Sequence, residues 1–418
     1  MRKVICLDLW IMPNGGYETS QFMEKEIADF EQTHPNIKVN LSIIPWSKAW
    51  QRIITAAKSK ELPDVFQIGN SWTKTLTAIN ALTDVTDKAI MDKMKNKFSL
   101  TSWATCEVQD SNKIYALPWF VDVRMLFYRK DFFEKLGLDP KELDKWESFE
   151  DVCKALTGFD FGSGQIGALG VSDLKDQGLV HDVAPWIWSN GGDFLTADRT
   201  AAAFHKERAL RGIKFYFDLM QKGYAPILDR RVPGQPLYDF FTLDKYGMCI
   251  TGAYVFANYL RGFIETPLSI QPSKSIEKFG VTFLPAGPIG RFTFQGGSNL
   301  SISSYSANQA EAWQLLKFLT SNEFQMHQYE IVGALPSLTE TFNYLFGERT
   351  EKKKVLIESY SKYGRSHFQV DFWGSVEFIL VEFFGKIIDS IKAHKYNEGF
   401  LVKEANQAAE QVNYILSL

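Results

Sequence analysis

The sequence predicts an α/β protein of two lobes with a ligand crevice, on three observations. A chain of 418 residues is longer than one hydrophobic core ordinarily supports, so two compact units are expected. Residues 4–68 alternate strand and helix patterns in the order βαβαβ, which implies parallel strands joined by crossover helices. Most of the eleven tryptophans stand beside turn or loop signals and not inside apolar helix stripes, where flat rings can line a crevice.

Val4 to Trp10 is a buried strand, and Phe22, Ile27 and Phe30 fall at helical spacing within Thr19 to Gln32. Ile37, Val39, Leu41 and Ile43 alternate as a strand, Trp46 to Ser59 is helical, and Val65 to Ile68 forms a third strand. In open α/β sheets a ligand sits beyond the carboxyl ends of the strands. The residues just past these three strands are Asn14, Trp46 and Trp72, which are therefore predicted to open on one crevice. After the loop at Pro118 a strand is expected over Val123 to Tyr128, then a helix from Lys130 to Leu136, a connector to Trp146 and a helix from Phe149. Gly158 to Gly170 holds five glycines and reads as a loop around a short strand. Helices follow over Leu179 to Trp188 and Lys206 to Gln221, and strands over Met248 to Ile250, Val281 to Pro285 and Leu300 to Ile302. Ala307 to Leu319 is a helix, and the remainder is mostly helical.

Charge and motifs exclude several classes. A formal net charge of −3 and a pI near 6.1 leave no basic field for nucleic acid. No stretch of about 18 apolar residues exists to span a membrane, and Phe378 to Ile388 reads as an amphipathic packing helix. No basic segment followed by an apolar one opens the chain, so a cytoplasmic protein or a mature exported form is expected. Cys6, Cys106, Cys153 and Cys249 form no CxxC pair, and the six histidines no ligand cluster, so neither metal nor cofactor is expected. Cys6 and Cys249 lie in apolar runs and read as buried thiols, with disulfide pairing left open. No GxSxG, HExxH or P-loop is present. Asp122 with Asp193 or Glu18 could be arranged as a glycosidase pair. Carboxylates beside aromatics are equally how non-catalytic sugar sites hold hydroxyls, and no enzyme is expected.

Trp72 follows Asp64 to Gly69, Trp119 follows Leu117-Pro118, Trp186 and Trp188 lead into Asn190-Gly191-Gly192-Asp193, and Trp373 lies in Val370 to Gly374. Indole faces at element ends can stack on sugar rings while neighbouring Asn, Asp and Arg bond hydroxyls. Any one of these tryptophans taken alone is more often a core residue. Five or more aromatic candidates exceed what one ring can touch, so an oligosaccharide is favoured over a monosaccharide. A polyamine would need several carboxylates among the aromatics, and a phosphate ester clustered cations.

Several ordered segments carry a resemblance. They are Phe30 to Val39 with Leu62 to Gln67, Ile114 to Trp119 through Leu126 to Phe133, Trp188 to Gly192, Tyr246 to Gly252, Phe294 to Ser298, and Ala312 to Thr320. Together they resemble the extracellular solute-binding proteins of ABC importers, in the carbohydrate-binding group typified by maltose-binding protein. The resemblance implies a type II periplasmic-binding-protein-like fold, each lobe a mixed sheet flanked by helices, with the ligand held at a hinge. Residues 1–120 and 286–335 would form the first lobe, 121–285 and 336–418 the second, with Pro118 and Pro285 beside hinge strands. It places Asn14 among polar sugar contacts, though without the lysine found there in maltose-binding protein, which argues against maltose itself, and makes Trp72 and Trp373 stacking platforms. Asp122 would hold hydroxyls, with Arg124 on the same face; a plain ion pair between the two is the alternative. Tyr254 stands where tryptophan is usual. Gly296, Gly297 and Asn299 complete the candidate ligand-binding set with Trp46, Trp119, Trp186, Trp188 and Asn190. The implied partners are a neutral oligosaccharide and ABC permease subunits, with the chain a monomer that is periplasmic or lipid-anchored to the cell surface.

Overall fold

A computed structural model describes residues 4–13, 19–108, 112–162, 164–171, 175, 177–227, 240, 242–265, 270–272, 274–347, 350–366 and 370–418. The strands that frame the molecule are β1 (Ile5–Ile11), β2 (Ile37–Ile43), β3 (Val65–Gly69), β4 (Leu117–Val123), β5 (Met125–Arg129), β6 (Gly167–Gly170), β7 (Tyr246–Thr251), β8 (Phe279–Thr282), β9 (Thr293–Ile302), β10 (Leu335–Pro336) and β11 (Gly364–Arg365). The principal helices are α1 (Thr19–Thr33), α2 (Trp46–Ser59), α3 (Thr73–Ala78), α4 (Trp146–Leu156), α5 (Gln177–Ser189), α6 (Glu207–Gln221), α7 (Ala253–Arg261), α8 (Gln309–Leu319), α9 (Asn322–Val332), α10 (Trp373–Lys392) and α11 (Glu398–Leu416).

Two sheets carry the fold. The first has the order β10-β4-β9-β3-β1-β2, with β11 added on β9; the second has the order β8-β5-β7-β6. β1 pairs in parallel with β2, Ile5 opposite Ile37 through Ile11 opposite Ile43, and in parallel with β3, so the βαβαβ expectation holds. Along β1 the pleat turns Leu7, Leu9 and Ile11 into the core and leaves Cys6 and Asp8 exposed. Cys6 is thus an exposed free thiol, not the buried one its apolar neighbours suggested; Cys249 is buried as expected. In α2, Ala49, Ile53, Ala56 and Ala57 make the buried stripe, and Lys60 ends the helix in the left-handed region at φ 62°, its N–H reaching the Ala56 and Ala57 carbonyls.

Two expectations are corrected around Pro118 and Gly296. The stretch read as a loop at Pro118 is β4, and the strand expected over Val123 to Tyr128 is interrupted at Arg124, where the chain leaves the first sheet for the second. Backbone bonds hold the crossing: Arg124 N–H donates to Phe294 O at 3.1 Å, and Thr293 Oγ1 donates to Arg124 O at 2.7 Å. The strand at Leu300 begins seven residues earlier, at Thr293, and runs through Gly296-Gly297: at Gly297, with φ 140°, a Cβ would meet Phe120 O at 2.3 Å.

Separate cores form on the two sheets. Leu7, Leu9, Phe30, Trp119 and Leu316 fill one face of the first sheet, and Ile53, Phe66, Ile68, Trp72 and Leu76 the other. The helices α4, α5, α6, α10 and α11 enclose a further core on the second sheet, holding Phe149, Trp186, Tyr216, Trp373, Leu380 and Val412.

Candidate functional site

The carboxyl ends of β1 and β3 carry a group of tryptophans. Trp46 opens α2 just after Ile44-Pro45, and its Nε1 donates to Pro13 O at 2.9 Å. Trp72 closes the turn after β3 and caps α3; its ring stands 6.2 Å from that of Trp46, edge on, and 5.1 Å from that of Trp50. Trp10, at the end of β1, lies under the Arg52 guanidinium at 4.3 Å. Trp46 and Trp50 are half-buried and keep part of their faces open, whereas Trp72 is only 2% exposed. Sequence reasoning missed Trp50. The signal was there, since four residues separate it from Trp46 and place both on one helix face.

The start of α10 faces this group. A Cβ on Gly374 would fall 2.1 Å from the Trp50 ring, so a glycine is what lets the helix approach so closely. Lys74 Nζ pairs with Asp371 Oδ1 at 3.2 Å, and Trp72 Nε1 donates to Glu377 Oε2 at 3.0 Å. The other oxygen of Glu377 lies 3.5 Å from His181 Nε2 on α5, and the His181 ring stacks on Phe294 at 3.8 Å and 9°. Burial, aided by the Arg124 charge and opposed by Asp122, pushes the His181 imidazole down to about 3, so it is neutral at ordinary pH.

Asp122 and Arg124 do meet, at 3.8 Å, and Arg124 Nε lies 3.9 Å from Asp182 Oδ1. Asp122 Oδ1 also accepts from Ala253 N–H at 2.9 Å, which caps α7 with a negative charge at its amino end. A Cβ on Gly252 would sit 2.7 Å from that oxygen. The cap and the ion pair give Asp122 a structural role whatever else it holds.

Several candidates turn out to be packing residues. Trp119 is fully buried and stacks on Phe324 at 6.1 Å; Trp186 lies among Trp146, Phe215 and Tyr216 in the second core. Trp373 is fully buried with its ring edge on Phe194 at 6.0 Å. Trp188 is 2% exposed, donates Nε1 to Asp193 Oδ1 at 3.3 Å, and has the Arg365 guanidinium on its ring at 5.1 Å. Asn190 Nδ2 donates to Arg208 O at 2.7 Å and ties the end of α5 to α6. Asn299 is buried in a network with Thr73 and Thr105. Trp119, Trp186, Trp373 and Asn299 are buried against their neighbours, because turn signals mark element ends, and element ends pack into cores as readily as they line clefts; Asn190 is partly exposed, and Trp188 borders a surface depression. Gly296 accommodates the Phe294 ring, and Tyr254 is half-buried on the first turn of α7. Asn14 and Glu18 lie outside the described residues.

Asp193, the other carboxylate of the glycosidase reading, is paired with Arg365. It lines a surface depression of about 540 Å3 with Gly191, Lys206, Arg208, Ile289 and Phe292, none of which belongs to the tryptophan group. Among the described residues no three His, Cys, Asp or Glu gather to hold a metal, and no helix is long and apolar enough to cross a membrane.

Comparison with known proteins agrees with this architecture. The sequence profile of the bacterial extracellular solute-binding proteins matches residues 15–326. A putative binding protein of Brucella abortus is 26% identical over 324 residues, 76% of this chain and 73% of that protein. The diacetylchitobiose-binding protein of Streptomyces coelicolor is 25% identical over 341 residues, 79% of this chain and 73% of its own. In fold, an ABC transporter solute-binding protein of Thermotoga lettingae solved with α-D-tagatose superposes with a TM-score of 0.81 at 22% identity, over 99% of this chain and 100% of that one. A maltose-bound T. maritima protein gives 0.81 at 20% identity over the same shares. With the profile spanning well over half its length, the chain belongs to the bacterial extracellular solute-binding proteins.

Proposed function

We propose that this chain captures a neutral oligosaccharide between its two lobes and delivers it to the permease of an ABC importer. The family binds solutes and does not catalyse, so the site is read for recognition alone. The observation that carries the reading is the tryptophan group of Trp46, Trp50 and Trp72 facing the polar groups of α5 and α10. The half-buried Trp46 and Trp50, backed by the buried Trp72, give sugar rings an apolar platform, and we assign Asp182, Arg124 and His181 as the acceptors and donors for hydroxyls. The named ligands of its relatives, diacetylchitobiose and galactooligosaccharide, support the carbohydrate class.

Charge argues against an anion or a polyamine. Arg124 stands beside two carboxylates, and His181 is neutral, so no surplus positive charge awaits a phosphate ester. Asp122 and Asp182 in turn face Arg124, and Asp122 caps a helix, so they are not free to hold a polyamine.

We place the lobe crossing at Arg124, where β4 gives way to β5, with β9 and β10 returned to the first lobe and α10 and α11 in the second. The family is extracytoplasmic; within that setting we place this chain in the periplasm or on a lipid anchor, acting as a monomer. Thermal-shift screening against a glycan library tests the ligand class. A glycan at about 100 times its dissociation constant should stabilise the fold by roughly 2.7 kcal/mol. A panel in which no glycan raises the melting temperature, while a polyamine or phosphate ester does, would overturn the carbohydrate reading.

A further inference from the structure

The hydrogen bond from Trp72 to Glu377 joins two cores that are otherwise built on different sheets. Trp72 belongs with Phe66, Ile68 and Leu76 behind the first sheet. Glu377 sits on α10, whose Val376, Leu380 and Phe383 belong with α5, α6 and α11 on the second. Both partners are buried, Trp72 at 2% and Glu377 at 1% exposure, and the bond is 3.0 Å long. Around it the first turn of α10 and the residues just before it make three further contacts with α2 and α3. Gly374 lies against the Trp50 ring, Gly374 N–H reaches Thr75 Oγ1 at 3.4 Å, and Asp371 pairs with Lys74.

We propose that Glu377 and Trp72 form a protein-to-protein clasp that favours the closed arrangement of the lobes before any sugar arrives. The proposal rests on the two-lobed reading of the cleft but not on the identity of the ligand. The bond exists only when α10 lies against α3, so it has a differential free energy for the closed arrangement, which is what a population shift requires. A carboxylate buried here is tolerable only while it is hydrogen-bonded, and opening returns it to water. The clasp therefore biases closure without locking it. Its second consequence concerns affinity: a ligand that binds the closed form has an apparent dissociation constant divided by the closed fraction, so the clasp tightens binding without touching the sugar.

The test measures lobe separation with no ligand present. Spin labels at exposed Lys58 on α2 and Lys403 on α11, in a chain carrying Cys6→Ser, report the distance by double electron–electron resonance. Trp72→Phe removes the indole N–H together with part of the ring, Glu377→Leu removes the acceptor, and Glu377→Gln keeps one, so that the Glu377 pair separates the bond from the packing. Trp72→Phe and Glu377→Leu should each move the open-to-closed ratio toward open by roughly tenfold, as expected for a bond to a charged group. Glu377→Gln should recover most of the closed population, and the double variant should open no further than either single one. Distance distributions of Trp72→Phe and Glu377→Leu that superimpose on the wild type would overturn the clasp. Should Glu377→Leu fail to fold, Trp72→Phe decides alone, by the same criterion. No glycan enters the experiment, so a failed glycan screen leaves this result standing, and an unchanged distance leaves the sugar reading standing.

Discussion

His181 shows how position sets chemistry at the scale of a residue. Stacked on Phe294, beside Glu377 and near Arg124, its ring is held neutral, with its pKa pushed down to about 3 from 6.5. The unfolded chain takes up this proton near pH 6.5 and the folded one only near 3, so its contribution to stability is full above 6.5 and falls as pH drops through that window. The slope is at most about 1.4 kcal/mol per pH unit. Urea unfolding of wild type and His181→Gln between pH 7 and 4 should show the wild type losing stability faster; parallel curves would refute a neutral His181. A second contrast separates packing tryptophans from platform ones. Trp119→Ala removes a fully buried ring and should cost about 3–5 kcal/mol of stability by denaturant titration, leaving the affinity of the folded fraction unchanged. A weakened affinity in that variant would return Trp119 to the site. The sequence could not sort these residues, because a tryptophan at an element end carries the same local signal whether it is fully buried, like Trp119, or half-buried, like Trp46.

Elements were more legible than side chains. Alternation in β1 and β2 and the alanine-lined stripe of α2 are local patterns, and the parallel pairing of the first three strands followed from their order. The break at Arg124 and the full length of β9 were not legible, since each depends on a bond or a close approach to a residue far along the chain. The approach of α10 to α2 is of the same kind. Gly374→Ala would drive a methyl into the Trp50 ring and is expected to push the first turn of α10 outward, costing about 1–3 kcal/mol. Denaturant midpoints check the cost, and fluorescence of the Trp46, Trp50 and Trp72 group should report greater exposure. An alanine variant with unchanged stability and emission would mean that α10 does not press on α2.

For the whole molecule, two lobes and a crevice at the strand ends could be read from the order of elements, and Trp46 and Trp72 do meet there. The opposite wall could not be read. Glu377 lies 305 residues from Trp72 in sequence, and only packing of α10 against α3 brings them together. On the proposed reading, recognition across that gap would give a ligand a hold on both lobes, and hence a reason to favour the closed arrangement. The Trp50 ring is the part of this arrangement best suited to a decisive test, since it is half-open, stands beside Trp72 and faces α10. Calorimetric titration of the best glycan from the screen into wild type and Trp50→Ala tests the account most directly. It predicts one site per chain in the wild type and an affinity about tenfold or more weaker in the variant, with the variant still folded. Equal affinity in the two proteins would contradict a sugar bound against this tryptophan group.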